Sequence, residues 1–281
     1  MWYNGYNYAT NGGFVMQLWT PTHAAQLLPC LAVMLVLAVL LRLWLGKKPL
    51  SVRIIPFQIL AVIIVLLEIG KQIVSAADGQ YDLYHIPLHF CSLFIFTMPA
   101  MAFWRGKGAE KVRGITAAFC TSMALLLLIY PVLIYGDWNI KNFFVNYLDF
   151  HTVAFHNVVL FAFILLLALR LHPVSVKGEL KATLWFTAGF CVVSSVMAQI
   201  LKTNYANYYS CNIPPLEAVR VSLQGVLGYV PTQILYILIV SALNIGFVYG
   251  SYWFFRLVRR LLEGKAKDGV DIGNSEKEIT V

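Results

Sequence analysis

Residues 52–74 read Val-Arg-Ile-Ile-Pro-Phe-Gln-Ile-Leu-Ala-Val-Ile-Ile-Val-Leu-Leu-Glu-Ile-Gly-Lys-Gln-Ile-Val. Between Arg53 and Glu68 the only strongly polar side chain is Gln58. A helix of roughly 20 apolar residues crosses the hydrocarbon core of a bilayer, so this stretch reads as a membrane span with polar groups held back to one end. Six further runs have the same character, at approximately 24–45, 86–104, 114–135, 150–171, 181–202 and 231–255. The chain as a whole agrees. Of its 281 residues 59% are hydrophobic and 12% charged, where a soluble domain carries about 25% charged residues, and the mean hydropathy is +0.71. This composition excludes a soluble enzyme, a disordered chain and an ordinary nucleic-acid-binding domain. The expected fold is all-α: a polytopic membrane protein, a seven-transmembrane-helix bundle occupying residues 1–260.

The +8 net charge is a topology signal. Arg42, Lys47, Lys48 and Arg53 lie around the first connection, Arg105, Lys107, Lys111 and Arg113 around the third, and Arg170, Lys177 and Lys181 around the fifth. Arg256, Arg259, Arg260, Lys265, Lys267 and Lys277 follow the last span. The opposite side holds Lys71, Lys141, Lys202 and Arg220. The alternation at every loop predicts an outside N-terminus and a cytoplasmic C-terminus. The segment before the first span (Met1 to His23) has no basic cluster and no small-residue cleavage site, so that span does not read as a signal peptide. Residues 261–281 read as a flexible polar cytoplasmic tail. The longest outside connection, about Thr203 to Val230, is expected to fold over the outer mouth.

Intramembrane polar residues are costly and mark function by default. Here they gather at one depth. Glu68, Lys71 and Gln72 end the second span; His85, His89, Cys91 and Ser92 open the third; His151, His156 and Asn157 open the fifth; Thr203, Asn204 and Tyr205 close the sixth; His23 starts the first. Only His172 among the six histidines falls on the cytoplasmic side. Two chemistries could use this layer. In the first, Cys91 is a nucleophile and a histidine its base. On a helix His89 would lie about 200° from Cys91, so the base would come from another span: His151 or His156. Cys91 and His156 are each roughly two turns, about 7–9 Å, from the outer end. In the second, His85 and His89, four apart on one helical face, are zinc ligands, with His151 or His156 as a third and Glu68 as general base. The plainer readings are structural: a helix-to-helix hydrogen bond for His89, a pairing of Glu68 with Lys71 three residues on, and packing alone for Cys30, Cys120 and Cys191.

Ile86-Pro87-Leu88-His89-Phe90-Cys91-Ser92-Leu93 resembles the Leu-Pro-Leu-(His/Gln)-Leu-Cys-Ser motif of the YwaF-type bacterial integral membrane proteins and, through them, of the eukaryotic transmembrane phospholipid acyltransferases that work without coenzyme A. Phe150-His151 with Phe155-His156, then Asn204-Tyr205, then Leu227-Gly228 with Pro231, follow in the family's order, with weaker matches at His23 and Glu68. After Asn204-Tyr205 the chain departs from the family's usual hydrophobics and Lys-Pro, reading Ala206 to Cys211 and then Ile213-Pro214-Pro215. The resemblance implies an acyl transfer between membrane phospholipids and lysophospholipids, with Cys91 as nucleophile and His156, preferred over His151 on depth, as base. Glu68, His89, Asn204, Tyr205 and His23 would orient groups or bind substrate. It implies no cofactor, no metal and no nucleic-acid partner, and a multi-pass place in a bacterial cytoplasmic membrane. The alternatives are an intramembrane lipid ester hydrolase, by the Cys-His pair or a His-bound zinc, and a seven-helix transporter or receptor.

Overall fold

The computed structural model describes residues 18–77, 79, 81–135, 142–172 and 177–263. Among them there are helices and turns and no strand. Six helical stretches are long and apolar enough to cross a membrane. They are α1 (Pro21–Leu45), α2 (Ile55–Ala77, led in by the turn Leu50–Arg53), α4 (Ala109–Ile129), α5 (Tyr147–Ala168), α6 (Glu179–Leu201) and α8 (Tyr229–Glu263). Two shorter helices among the described residues are α3 (Phe94–Phe103) and α7 (Pro214–Leu227). The helix ends follow local chemistry. Thr20 caps α1 by accepting from the His23 N–H, with Pro21 in the first turn, where its missing N–H costs nothing. At the end of α4, Pro131 steers Tyr130 out of the helical region (φ −137°, ψ 65°). The run expected as one span over 114–135 is therefore a helix to Ile129 and a separate helical stretch at 131–135. α8 continues to Glu263, past the boundary expected at 260; residues 264–281, most of the expected tail, lie outside the described residues.

α4 is the central strut. It packs against α3, α5, α6 and α8, and Ala117 through Ala124 are all buried. Small residues predominate in that stretch, which lets neighbouring backbones approach closely in a medium that offers no hydrophobic drive between helices. Its hydroxyls are satisfied by backbone carbonyls: Thr121 Oγ1 donates to Ala117 O (2.7 Å), Ser122 Oγ to Ala118 O (3.0 Å), and Thr116 Oγ1 to Thr97 O on α3 (3.1 Å). α1 packs on α5 and leaves Val33, Val36, Leu40 and Leu43 exposed, the surface of a helix that faces lipid. At the junction of α2 and α5, Gly70 is required by a close approach: the Tyr147 hydroxyl, donating to Leu67 O (3.1 Å), passes where a Cβ on residue 70 would stand.

The stretch expected as a third full span, 86–104, differs from a continuous helix. Only Phe94–Phe103 is α-helical, preceded by a 3-10 turn at Cys91–Leu93 and irregular backbone before it. The cause is Pro87, which disfavours the α region for the residue before it; Ile86 is extended (φ −60°, ψ 133°). Leu88 N then bonds to Ile86 O (2.7 Å) in a tight turn. Irregular backbone at membrane depth is tolerated where protein satisfies its polar groups, and side chains from three sides do so. Gln72 donates to His85 O (2.8 Å), His89 to Tyr84 O (3.0 Å), Ser194 to Leu88 O (3.1 Å) and Tyr205 to Leu83 O.

The opposite end of the bundle is tied by arginines. Arg42 donates to Ala168 O, and Arg53 to Leu169 O (2.9 Å) and Arg170 O (3.2 Å), so the last carbonyls of α5 meet cations. His172 Nε2 and Glu179 Oε2 form a fully buried pair at 2.9 Å, and Arg259 donates to His172 O (3.2 Å).

Candidate functional site

The irregular 84–92 segment, the ends of α2 and α5, the C-terminal part of α4, the stretch at 131–135, the turn after α6 and one face of α8 border a half-open cavity of about 520 Å³. That volume falls in the ordinary range for small-ligand sites, about 300–1,000 Å³. Its lining has two characters. Met123, Leu126, Leu133, Ile134 and Phe247 supply an apolar part; Glu68, Lys71, His85, His89, Cys91, His151, His156, Asn207, Asn212 and Asn244 supply a polar one. A molecule with a polar group joined to an apolar chain matches this division.

Each polar group is positioned by its element. His156 Nδ1 lies 2.6 Å from the Thr152 carbonyl one turn back on α5. A carbonyl can only accept, so Nδ1 carries the proton and Nε2 carries the lone pair. His156 is thus held in the tautomer a general base needs. His151, one element turn nearer the end of α5, places Nε2 3.5 Å from Glu68 Oε2. The other Glu68 oxygen accepts from Lys71 Nζ and from Gln72 Nε2, both at 2.7 Å. Tyr135 stands between His156, which it meets edge-on at 6.0 Å, and His23, on which it stacks at 6.3 Å; its hydroxyl donates to Asn157 Oδ1 (3.2 Å).

The sequence-derived residues separate into two groups. Cys91, His156, His151, Glu68 and His89 line the cavity. Asn204, Tyr205 and His23 do not; Asn204 and Tyr205 hold backbone that borders it. Asn204 Oδ1 accepts the N–H groups of Tyr209 (3.2 Å) and Ser210 (3.1 Å), and Nδ2 donates to Asn212 Oδ1 (2.9 Å), which makes Asn204 the organiser of the turn after α6. Tyr205 is fully buried with its hydroxyl on Leu83 O, and His23 stacks on Tyr135, outside the lining. His89 has a narrower role than expected: its Nε2–H is spent on Tyr84 O, and its ring sits between Tyr84 (4.2 Å) and Tyr205 (5.5 Å). The reading of His85 and His89 as one helical face fails because 86–90 is not helical. His85 Nδ1 instead meets Ser75 Oγ at 2.6 Å. Burial, reinforced by the nearby Lys71 ammonium, lowers the His85 pKa, which keeps that ring neutral at pH 7. Among the described residues no group of three or more His, Cys, Asp or Glu side chains is placed to hold a metal ion. The outer connection also divides. Ala206, Asn207 and Asn212 reach the cavity, while α7 pairs with the start of α8 through Arg220, which grips Glu217 (2.6 and 2.8 Å) and Gln233 (3.0 Å).

The three lining asparagines, Asn207, Asn212 and Asn244, were not among the sequence-derived candidates. Asn244 carries a readable signal, a carboxamide inside the apolar run Ala242-Leu243-Asn244-Ile245-Gly246-Phe247. Asn207 and Asn212 lie in a connection whose path no periodicity sets.

The fold and the cavity define a multi-pass helical membrane protein with a polar chamber at one end of its bundle. Residues 18–252 match the TMEM164 family, and the chain belongs to that family. Neither the curated proteins nor the solved structures compared with it gave a match.

Proposed function

We propose that this chain is a membrane lipid acyltransferase that moves a fatty acyl group between phospholipids through Cys91 and His156. The observation that carries the reading is the shared cavity: Cys91 and His156 arrive from different elements on one chamber, with His156 fixed by Thr152 so that its Nε2 is the accepting nitrogen. The resemblance of the Cys91 and His151–His156 motifs to those of transmembrane phospholipid acyltransferases supplies the reaction class. The 86–103 segment counts as a seventh crossing. With the basic end cytoplasmic and the N-terminus outside, the chamber lies in the outer half of the membrane.

The chemistry needs only the chain's own groups. The Cys91 thiol gives its proton to His156 Nε2, and the thiolate attacks the ester carbonyl of a phospholipid. The tetrahedral adduct collapses by breaking the C–O bond to glycerol, whose oxygen takes the proton back from His156. An acyl thioester on Cys91 and a lysophospholipid result. A second lysophospholipid hydroxyl then gives its proton to His156 Nε2 and attacks the thioester; the C–S bond breaks, the new ester forms, and the leaving thiolate takes the proton back from His156. Water in place of that hydroxyl would yield a free fatty acid. Glu68 and His151 are positioning residues at 3.5 Å from one another, and Lys71 brings a cation to the wall where charge develops.

The test is acyl exchange by the purified protein reconstituted in vesicles that hold a phosphatidylcholine labelled in one acyl chain and an unlabelled lysophosphatidylethanolamine. The expected result is label in phosphatidylethanolamine without added coenzyme A. Label recovered only as free fatty acid would replace transfer by hydrolysis, and label left in place would refute both.

A further inference from the structure

The turn after α6 holds Lys202 and Ala206 in a conformation they do not favour, and Asn207 in one that asparagine tolerates better than most. Lys202, Ala206 and Asn207 have φ of 50°, 47° and 65°, the left-handed region that residues other than glycine seldom enter. Such conformations persist where the surroundings over-determine them, and they cluster at ligand clamps. The over-determination is plain. Asn204 gathers the N–H groups of Tyr209 and Ser210. Tyr208 O accepts from Gln199 on α6 and from Gln233 on α8, both at 3.0 Å. The Tyr208 hydroxyl meets Ser241 Oγ (3.2 Å), and the Tyr236 hydroxyl donates to Asn207 O (2.6 Å).

Amid these paired groups, Asn207 Oδ1 is shut off from solvent and has no hydrogen-bond partner. A buried carbonyl oxygen without a donor carries its full desolvation cost, and each such group in a folded protein calls for an explanation. Asn207 lines the cavity, with Asn212 and Asn244. The torsion that turns its carboxamide is soft and roughly two-fold, so turning the carboxamide over exchanges the positions of Oδ1 and Nδ2 at the chamber. A ligand N–H or O–H arriving there would supply the missing donor.

We propose that Asn207 is a ligand-binding residue of the chamber whose carboxamide oxygen accepts a hydrogen bond from a lipid carrying an N–H or O–H donor, so that the chamber selects donor-bearing lipids over those without one. The proposal rests on the reading of the chamber as a lipid site and on no step of the acyl transfer. The donor has two sources, a free glycerol hydroxyl on a lysolipid or an ammonium in a head group, and paired lipids separate them.

The test uses the full chain with Cys91→Ala, so that binding is read without turnover, and displacement of a fluorescent phospholipid. Lysophosphatidylcholine is compared with its analogue lacking the glycerol hydroxyl, and diacyl phosphatidylethanolamine with diacyl phosphatidylcholine, which has no donor at all. The expected result is about tenfold tighter binding of the donor-bearing member of at least one pair, the size of one hydrogen bond to an otherwise unpaired buried group. The first pair points to the hydroxyl, the second to the head group. Asn207→Gly suits the left-handed φ and drops the carboxamide; it should erase the preference, while Asn207→Asp keeps an acceptor and should retain it. Equal binding within both pairs by the otherwise unaltered chain overturns the proposal, whatever the variants do, and so does a preference that survives in Asn207→Gly. Failure of every lipid to displace the probe would remove the lipid reading of the chamber together with this one.

Discussion

If the proposed acyl transfer runs through Cys91, Cys91→Ala is expected to lower it by a factor on the order of 10³ or more, the scale on which nucleophile removal acts in covalent catalysis, and to leave the folded protein intact. The effect is large because no other thiol can stand in: among the five cysteines, which are all free, only Cys91 lines the chamber. The fold survives because the residue is half-buried in a 3-10 turn whose shape is set by Pro87 and by Ser194 on Leu88 O, not by the sulfur. His156→Gln should cost about 10²–10⁴, the usual contribution of general base catalysis. It keeps a polar side chain on α5 and removes the lone pair that Thr152 aims. Cys30→Ala, outside the chamber, serves as the control. Initial rates of acyl exchange, with thermal stability measured on the same preparations, check this; a Cys91→Ala protein that transfers at the native rate contradicts it.

Glu179→Ala destabilises the bundle by roughly 1–3 kcal/mol, the cost of leaving a buried polar group without its partner. Glu179 and His172 are each 2% exposed and 2.9 Å apart, and they fix the start of α6 against the end of α5. Gly114 on α4 exists to let them meet. A Cβ there would stand 2.3–2.5 Å from the Glu179 carboxyl carbon, Oε1 and Cγ, so Gly114→Val should destabilise by at least 1–3 kcal/mol through overpacking. The two effects oppose each other geometrically, because Ala at 179 vacates the space that Val at 114 needs. The double variant should therefore fall short of the sum of the single losses. Unfolding in detergent, followed by thermal or denaturant titration, reads all three. Additive losses, or a Glu179→Ala protein as stable as the parent, would show that this contact does not hold the helix ends.

The membrane-spanning elements were legible because bilayer thickness imposes a length on apolar runs. The limits of α1, α5 and α6 stand within about three residues of those runs. Length says nothing of φ and ψ, which is why 86–104 reads as a span like the others although Pro87 and the carbonyls of 83–88 make its first half irregular. That irregularity matters to the site. It removes the helical spacing on which both the His85–His89 pairing and the 200° argument for His89 and Cys91 relied. The gathering of Glu68, His89, Cys91, His151 and His156 was legible from depth alone, since a polar residue in a span can be placed along the membrane normal by counting 1.5 Å steps. Depth does not say which way a residue turns. Asn204 and Tyr205 share the layer yet hold the backbone behind the chamber, His23 stacks on Tyr135 outside the lining, and Asn207, three residues from Asn204, reaches the chamber because a left-handed turn that no sequence period announces carries it there.

The central claim is a covalent acyl group on Cys91. The most direct measurement incubates the reconstituted protein with a phospholipid labelled in its transferable chain, stops the reaction in acid without a lysolipid acceptor, and maps the label by peptide mass. One acyl group is expected on the peptide bearing Cys91, released by neutral hydroxylamine as a thioester is, and absent from Cys91→Ala. An exchange-competent protein that never carries acyl on Cys91, or carries it on an oxygen or nitrogen resistant to hydroxylamine, would contradict the claim.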